Sequence, residues 1–210
     1  VTEKDRIIAI SNLNFDLSVY DVFGCFNAGA TLVVPDAELE REPAHWQALI
    51  VEHQVSIWNT VPALMKMLVE HIGDENVDQI DSLRLVMMSG YWIALDLPQQ
   101  IWNINAKTQV ISLGGATEVS IWSIDYPIHS IDPDWNSIPY GKPLANQQFY
   151  VLNSLMQECP NWVVGDLYIG GDGLALGYWK DREKTEQQFI FHPKTSQKLY
   201  KTGDLGRYLP

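Results

Sequence analysis

The sequence predicts an α/β fold with a mainly parallel sheet and flanking helices, followed by a smaller antiparallel β-rich region. Between residues 30 and 113, short apolar runs alternate with amphipathic segments of helical length. The short runs are apolar along their whole length, which is typical of parallel strands covered on both faces. After about residue 122, short strands are separated by Gly, Pro and Asn turns. We therefore expect an α/β part over residues 1–130 and a β-rich part over residues 131–210.

The elements of the α/β part alternate regularly along the chain. The predicted strands are residues 30–34, 55–58, 83–88 and 109–113, and the predicted helices are residues 43–54, 62–72 and 95–105. Pro43 and Pro62 stand in the first turns of two of these helices, where proline is tolerated because the first N–H groups have no partner inside the helix. This order predicts successive βαβ units and hence parallel strands.

The β-rich part contains runs of strand length and one helical segment. A first short strand is predicted before this part, at residues 122–127, and the connection is 133–143; the strands that follow are predicted at residues 148–152, 163–170 and 198–201, and the helix at 181–189. Short strands with frequent turn residues favour antiparallel pairing.

Composition excludes several classes of partner. The 26 acidic against 14 basic residues give a net charge of -12, which disfavours nucleic acid and anionic membrane surfaces. No apolar run approaches the roughly 20 residues needed to span a bilayer. The two cysteines, Cys25 and Cys159, are far apart and outside any metal-ligand spacing, so we expect free thiols and a cytoplasmic location.

The strand ends of the α/β part predict where a ligand binds. In open parallel sheets, ligands bind beyond the carboxyl ends of the strands. The residues at three successive ends are Asn59, Ser89, Gly90, Leu113, Gly114 and Gly115. These ends are expected to face one crevice.

Residues 15–23, Phe-Asp-Leu-Ser-Val-Tyr-Asp-Val-Phe, place two aspartates inside an apolar run. A buried carboxylate costs several kcal/mol unless a donor pairs with it. A buried Asp16 therefore requires a partner, and the segment itself does not show which group this is. For Asp21 we expect a position on a helix surface or a capping role.

The segment Gly114–Glu118, Gly-Gly-Ala-Thr-Glu, follows a predicted strand and has no side chain at two adjacent positions. Backbone can approach a ligand closely there. The Thr117 hydroxyl suits a phosphate oxygen, and the Glu118 carboxylate suits Mg²⁺. Taken alone, the segment fits a glycine turn with a solvated glutamate better than a ligand site.

Two further motifs lie near the end of the chain. Residues 200–207 contain a Thr-Gly-Asp turn, in which Asp204 either accepts two hydrogen bonds from a vicinal diol such as ribose or bonds its own backbone. Residues 165–179 are rich in glycine, and for them we expect a structural hairpin role. Their aspartates lack the periodicity of a calcium loop.

In this order, the segments 15–23, 114–118, 165–179 and 200–205 resemble four consecutive core motifs of the adenylation domains of nonribosomal peptide synthetases. The resemblance runs over nearly the whole chain. It implies an enzyme that condenses an amino acid with ATP, using Mg²⁺, to an aminoacyl adenylate and pyrophosphate. The acyl group is then loaded onto the phosphopantetheine thiol of a peptidyl carrier protein, with other synthetase domains in cis.

The resemblance also assigns substrate-binding residues. In such domains the residue matching Asp16 pairs with the α-ammonium of the substrate. The matching pocket positions are Asp16, Leu17, Tyr20, Asn59, Met87, Ser89, Leu113, Ile121 and Trp122. This string is similar to the cysteine-activating type of thiazoline-forming synthetases, which commonly carry Leu in place of Met87. An apolar cup with few polar groups suits the soft thiol of L-cysteine.

For the nucleotide, the resemblance implies a phosphate contact at Thr117, a Mg²⁺ ligand at Glu118 and a ribose contact at Asp204. Thr117 and Glu118 are the residues assigned to the chemical step. Gly114, followed by Gly115, stands where most of the family has an aromatic residue that stacks on adenine. Tyr91, after Gly90, is the candidate wall for the base.

The resemblance further implies that this chain is an excised part of the large subdomain. The expected phosphate loop before Phe15 and the C-terminal subdomain with its catalytic lysine are missing from the sequence. We therefore expect these 210 residues alone to be inactive.

Two other interpretations remain open. An acyl- or aryl-CoA ligase of the same superfamily is disfavoured, because a carboxylic acid without an amine offers Asp16 no ammonium partner. A degenerate module that only mediates contacts inside a synthetase is disfavoured by the presence of Thr117, Glu118 and Asp204.

Overall fold

The computed structural model describes residues 1–73 and 80–210, which form two compact units. The first unit comprises Val1–Gly114 and Tyr126–Gly141, and the second comprises Gly115–Asp125 and Lys142–Pro210. The chain therefore passes between the units more than once. The single boundary after residue 130 stays a prediction.

The first unit contains a parallel sheet, as the sequence predicts. Its strands are β1 (Arg6–Ile8), β2 (Thr31–Val33), β3 (Ile57–Thr60), β4 (Leu85–Met88) and β5 (Gln109–Gly114). Their order is β2-β1-β3-β4-β5, and each adjacent pair is parallel. Strand β1 lies before the first predicted strand and is an addition to the sequence-based assignment.

Helices connect these strands. They are α1 (Leu17–Val19), a π-helical turn (Tyr20–Gly24), α2 (Cys25–Ala28), α3 (Pro43–His53), α4 (Pro62–Ile72) and α5 (Leu97–Ile104). Helices α3 and α4 begin at Pro43 and Pro62, as expected from the fixed φ of proline. Helix α2 ends at Gly29, whose φ of 67° lies in the left-handed region that glycine adopts freely.

The core of the first unit includes side chains from the sheet and from α3, α4 and α5. Trp46 of α3 and Trp58 of β3 are both fully buried and meet edge to face, with ring centroids 5.7 Å apart. The Trp58 indole N–H donates to the Thr60 hydroxyl at 2.6 Å, so its polar atom is satisfied inside the core. Edge-to-face aromatic pairs contribute about 0.5–1.5 kcal/mol beyond the area they bury.

An ion pair with a buried carboxylate connects residues before β1, β3 and β4. The Arg84 guanidinium donates to both carboxylate oxygens of Asp5, at 2.8 and 2.7 Å, and the Ser56 hydroxyl donates to the same carboxylate at 2.8 Å. The Arg84 hydrogen bonds hold the pKa of Asp5 well below its usual range, although burial opposes this. The pair therefore fixes these segments at the amino ends of the strands.

The second unit contains mainly antiparallel strands. Its elements are β6 (Ile124–Ile128), which ends in the first unit, β7 (Lys142–Pro143), β8 (Gln147–Leu152), β9 (Gly165–Gly171), α6 (Arg182–Gln188), β10 (Phe189–Phe191) and β11 (Lys198–Gly206). Four of these strands form a sheet of order β10-β11-β9-β8. Asp181 caps α6, because its side chain accepts from the backbone N–H of Lys184.

Within residues 1–73 and 80–210, none of the helices combines the length and the apolar composition that crossing a bilayer requires.

Candidate active site

The residues at the carboxyl ends of β3, β4 and β5 share one face of the sheet. Asn59 and Met87 are register partners across β3 and β4, and Met87 is the partner of Ile111 in β5. Ser89 lies two residues after Met87, and Leu113 lies two residues after Ile111. Because side chains alternate along a strand, all of these residues point to the same side. Asn59, Met87, Ser89 and Leu113 are buried.

The opposite face of the same strands belongs to the core. Trp58, Val86, Met88 and Val110 pack there with α3, α4 and α5. The predicted pocket residues are thus separated from the core by the alternation of the strands. Asn59 lies within β3, because this strand extends further than the sequence predicted, and Leu113 lies within β5, inside the strand that the sequence predicted.

The helical segment Leu17–Gly24 contacts this pocket face. The Asn59 side-chain N–H₂ donates to the backbone carbonyl of Leu17 at 3.3 Å. Leu17 is buried and Tyr20 is half-buried. Burial, followed by the charge of Asp21, raises the pKa of Tyr20 to about 12, so its hydroxyl keeps its proton at neutral pH. The structure thereby brings Leu17 and Asn59 into direct contact.

The expectation that Asp21 lies on a helix surface or caps a helix is wrong. Asp21 is only 1% exposed, and one of its carboxylate oxygens, Oδ1, accepts from the Asn59 side-chain N–H₂ at 2.9 Å. The cause is the π-helical turn Tyr20–Gly24, which changes the side chains that share a face relative to an α-helix. Burial raises the pKa of Asp21 to about 7, although the bond from Asn59 acts in the opposite direction.

Asp16 lies immediately before α1 and is half-buried. Its backbone carbonyl accepts from the Val19 N–H at 3.0 Å. Within the described part of the chain, its carboxylate makes no capping hydrogen bond to α1. A local capping role therefore does not account for this aspartate.

Gly90 and Tyr91 follow Ser89 at the end of β4. Gly90 has a φ of 81°, and a Cβ at this position would lie 3.3 Å from both the Phe15 ring and the Val61 side chain. Tyr91 is 79% exposed, with its ring open to solvent. The chain thus presents a flat aromatic surface beside the strand ends.

Gly115 begins the second unit, directly after Gly114, the last residue of β5. A Cβ on Gly115 would lie 3.0 Å from the Ser123 backbone nitrogen and 3.1 Å from the Trp122 Cα. The segment from Gly115 to Ser123 therefore folds back on itself in a way that only glycine permits. Trp122 and the preceding Ile121 are half-buried in this turn.

Glu118 is held by tyrosines from the two later motifs. The Tyr178 hydroxyl donates to Glu118 Oε1 at 2.5 Å, and Tyr200 also hydrogen-bonds to Glu118. Burial alone would raise the pKa of Glu118, but these bonds outweigh it and lower the pKa below the usual range. Thr117 beside it is exposed. The solvated-turn interpretation of Glu118 therefore does not fit its surroundings.

Sequence reasoning missed Tyr178 and Tyr200. Both stand in motifs that were singled out for their glycines and their aspartate, and each is an aromatic residue within its motif. Their rings pack with Phe189, which lies 5.8 Å from Tyr178 and 5.2 Å from Tyr200 between centroids. Lys184 lies 4.1 Å above the Tyr178 ring, and its charge also lowers the pKa of Glu118.

The glycine-rich segment packs closely against the segment that carries Glu118. A Cβ on Gly173 would lie 2.8 Å from the Val119 carbonyl oxygen. The Ser120 hydroxyl donates to the Gly173 carbonyl at 3.0 Å, and the Ala175 N–H donates to the Glu118 carbonyl at 2.9 Å. Gly173 therefore has a structural role, since it allows two backbones to meet, and the hairpin role of the whole segment stays a prediction.

Asp204 lies in a bulge of β11. The pairing with β9 shifts register between Lys201 and Leu205, and Gly203 has a φ of 87°. The Thr202 hydroxyl accepts from the Asp204 N–H at 3.0 Å and donates to the Leu167 carbonyl at 2.9 Å. This turn fixes the backbone while leaving the Asp204 side chain exposed.

The Glu118 carboxylate is the candidate metal ligand. In residues 1–73 and 80–210, no group of three or more His, Cys, Asp or Glu side chains could hold an ion. Glu118 offers a single carboxylate. Mg²⁺ is commonly held by one or two carboxylates together with substrate phosphates, so the residues present fit such an ion.

Comparisons with known proteins extend these observations. The protein-family model described as AMP-binding enzyme matches residues 1–179. Bacitracin synthase 1 of Bacillus licheniformis is 52% identical over 206 residues, which are 98% of this chain and 4% of that protein. The anguibactin system regulator of Vibrio anguillarum is 47% identical over 210 residues, which are 100% of this chain and 20% of that protein. The chain thus spans a fifth or less of these relatives.

Solved structures share the fold. The AMPPNP-bound form of the nonribosomal peptide synthetase FmoA3 matches with a TM-score of 0.96 at 43% identity, over 100% of this chain and 23% of that chain. The form of FmoA3 bound to alpha-methyl-L-serine-AMP matches with a TM-score of 0.95 at 43% identity, over 100% of this chain and 24% of that chain.

Proposed function

This chain belongs to the AMP-binding enzyme family, and we propose that it contains the cysteine-recognising part of a nonribosomal peptide synthetase adenylation domain. Its sequence and fold are those of an adenylation-domain segment of such synthetases. The proposed reaction joins the carboxylate of L-cysteine to the α-phosphate of ATP, which gives cysteinyl-AMP and releases pyrophosphate.

The observation that carries the substrate assignment is the shared face at the ends of β3, β4 and β5. Asn59, Met87, Ser89 and Leu113 lie on it, buried and separated from the core. Met and Leu offer a soft apolar surface, and the amide and the hydroxyl are the few polar groups. Such a lining suits a small thiol better than a large or charged side chain.

The remaining substrate contacts are assigned to Asp16 and to the residues that complete the pocket. We assign the Asp16 carboxylate to the α-ammonium group, because it directly precedes Leu17, whose backbone carbonyl contacts Asn59. Leu17 and Tyr20, on the segment that contacts Asn59, close one side. Ile121 and Trp122 are assigned to the same pocket from the resemblance of the motifs.

The nucleotide contacts are assigned to the strand ends and to the motifs of the second unit. Tyr91 offers an exposed ring for adenine, and Gly90 and the pair Gly114–Gly115 allow a ligand to approach the backbone closely. Thr117 would donate its hydroxyl to a phosphate oxygen, and Asp204 would accept from the ribose hydroxyls. Mg²⁺, when bound at Glu118, would neutralise phosphate charge.

The proposed partners follow from the reaction. An aminoacyl adenylate requires a nucleophile, and the phosphopantetheine thiol of a peptidyl carrier protein supplies one within the same synthetase. The proposed location is the cytoplasm, where the two cysteines, which are free and buried in this structure, stay reduced.

ATP–pyrophosphate exchange with each proteinogenic amino acid, measured on the full-length protein, tests the proposal. Exchange should be highest with L-cysteine. It should exceed that with L-serine and L-valine by roughly 10- to 200-fold, since one small group in an apolar pocket contributes about 1–3 kcal/mol. Highest exchange with an aromatic or a β-branched amino acid would contradict the assignment.

A second candidate substrate is a serine derivative. The observation that favours it is the structure of FmoA3 with alpha-methyl-L-serine-AMP, at 43% identity. The two candidates differ in the group that meets Asn59 and Ser89, a hydroxyl or a thiol. Including L-serine and α-methyl-L-serine in the exchange assay decides between them.

A further inference from the structure

Asp21 and Asn59 form a buried polar pair at the pocket face. Their exposed fractions are 1% and 0%, and the Asn59 side-chain N–H₂ donates to Asp21 Oδ1 at 2.9 Å. The other oxygen of each group, Oδ2 of Asp21 and Oδ1 of Asn59, is also buried and has no hydrogen-bond partner among the described residues. Two neighbouring side chains thus leave two acceptors without a donor.

Buried acceptors without donors are costly, and each is expected to find one in the native state. The donors of Asn59 are already used, because its N–H₂ group also donates to the Leu17 carbonyl. A single proton on Asp21 Oδ2 would convert one of the two acceptors into a donor for the other. The resulting pair is the eight-membered ring that a carboxylic acid forms with a carboxamide.

We propose that, in the folded protein on the acidic side of neutral pH, Asp21 is a neutral carboxylic acid that donates its proton to Asn59 Oδ1, which makes it a positioning residue for Asn59. The closed pair fixes both ends of the Asn59 amide. Because Asn59 lies in the face assigned to the substrate side chain, the pair sets the shape and polarity of that wall. This consequence rests on the proposed function, whereas the pairing itself does not.

The surroundings of the pair favour the neutral acid. Burial raises the pKa of Asp21 to about 7. The titratable groups that face it are Tyr20 and Cys25, whose own pKa values are raised by burial and by the Asp21 charge. The charge of Asp5 also raises the pKa of Tyr20, and the charge of Arg84 lowers it. Between pH 5 and 8, Asp21 is therefore the member of this group that changes charge.

The first experiment follows the protonation of Asp21 directly. Infrared difference spectra of the 210-residue chain, recorded between pH 5 and 9, should show a protonated carboxyl band that titrates near pH 7. The band should be absent from Asp21→Asn and present in Asp134→Asn, a control at an exposed aspartate. A wild-type spectrum that lacks such a band at pH 6 would overturn the proposed pairing.

The second experiment tests positioning in the full-length protein. In Asp21→Asn, the introduced carboxamide can donate to Asn59 Oδ1 and accept from its N–H₂ group, so this variant reproduces the neutral acid at every pH. From pH 6 to pH 9, the KM for L-cysteine should rise roughly fivefold more in the wild type than in Asp21→Asn. This factor corresponds to the loss of about one hydrogen bond. The titration of cysteine itself affects both proteins equally.

The variants separate the possible outcomes. Asp21→Ala should raise the KM for L-cysteine at all pH values while the KM for ATP stays unchanged. Equal pH dependence of the wild type and Asp21→Asn, or a complete loss of cysteine activation in Asp21→Asn, would overturn the positioning role. If no amino acid supports exchange, the proposed function fails, and the infrared titration still decides the pairing.

Discussion

The Tyr178–Glu118 hydrogen bond predicts a specific defect when its donor is removed. Tyr178→Phe deletes the hydroxyl that lies 2.5 Å from Glu118 Oε1 and keeps the ring that packs with Phe189. A hydrogen bond to a charged group contributes about 1.5–3 kcal/mol. Because Glu118 is half-buried and keeps its bond to Tyr200, we expect the loss of the Tyr178 bond to weaken Mg²⁺ binding by about 1–1.5 kcal/mol, which is roughly a fivefold to tenfold change in affinity.

The assay is pyrophosphate exchange by the full-length protein as a function of Mg²⁺ concentration. Tyr178→Phe should raise the half-saturating Mg²⁺ concentration by that factor and leave the KM for L-cysteine unchanged. Tyr150→Phe is the matched control, because its hydroxyl bonds Gln148 and Gln197 instead. Identical Mg²⁺ curves for the two variants would refute the role assigned to Tyr178.

Three further substitutions have expected outcomes. Arg84→Ala should lower the free energy of unfolding by about 2–3 kcal/mol, less than the roughly 3–5 kcal/mol lost when a fully buried pair is broken, because the Arg84 side chain is 47% exposed. Folding lowers the pKa of Asp5, so the ion pair stabilises the wild type fully above about pH 4 and progressively less as the pH falls below that value. The free energies of unfolding at pH 7 and pH 3, measured by denaturant titration, should therefore differ less in Arg84→Ala than in the wild type. Gly115→Ala should destabilise the protein by roughly 1–3 kcal/mol, because its Cβ would meet backbone atoms, and thermal unfolding checks this. Glu118→Gln should raise the Mg²⁺ requirement for exchange without changing amino-acid selectivity; an unchanged requirement would return Glu118 to a structural role.

Local patterns were sufficient to predict the parallel sheet and the strand ends. Pro43 and Pro62 mark helix starts through the geometry of proline itself, and apolar runs mark buried strands in any sequence context. The position of Asn59 at a strand end followed from these patterns alone. The structure adds that Asn59 shares its sheet face with Met87 across the β3–β4 register.

Long-range contacts account for what the sequence did not predict. Glu118 meets Tyr178 across 60 residues of chain, and no periodicity links such positions. Asp21 was misplaced because a π-helical turn is not distinguishable from an α-helical turn by pattern. Both misses involve buried or half-buried polar groups, whose partners depend on the tertiary fold.

The most direct measurement of the central claim compares two substrates in wild type and Asp16→Ala. L-cysteine carries the ammonium assigned to Asp16, and 3-mercaptopropionate keeps the thiol and lacks the amine. Breaking such a pair costs roughly 3–5 kcal/mol, so Asp16→Ala should lose on the order of 10² to 10³-fold in pyrophosphate exchange with L-cysteine. It should be much less impaired with 3-mercaptopropionate, and its KM for ATP should be nearly unchanged. Equal losses with both substrates, or unfolding of the variant, would contradict the account and make Asp16 a structural residue.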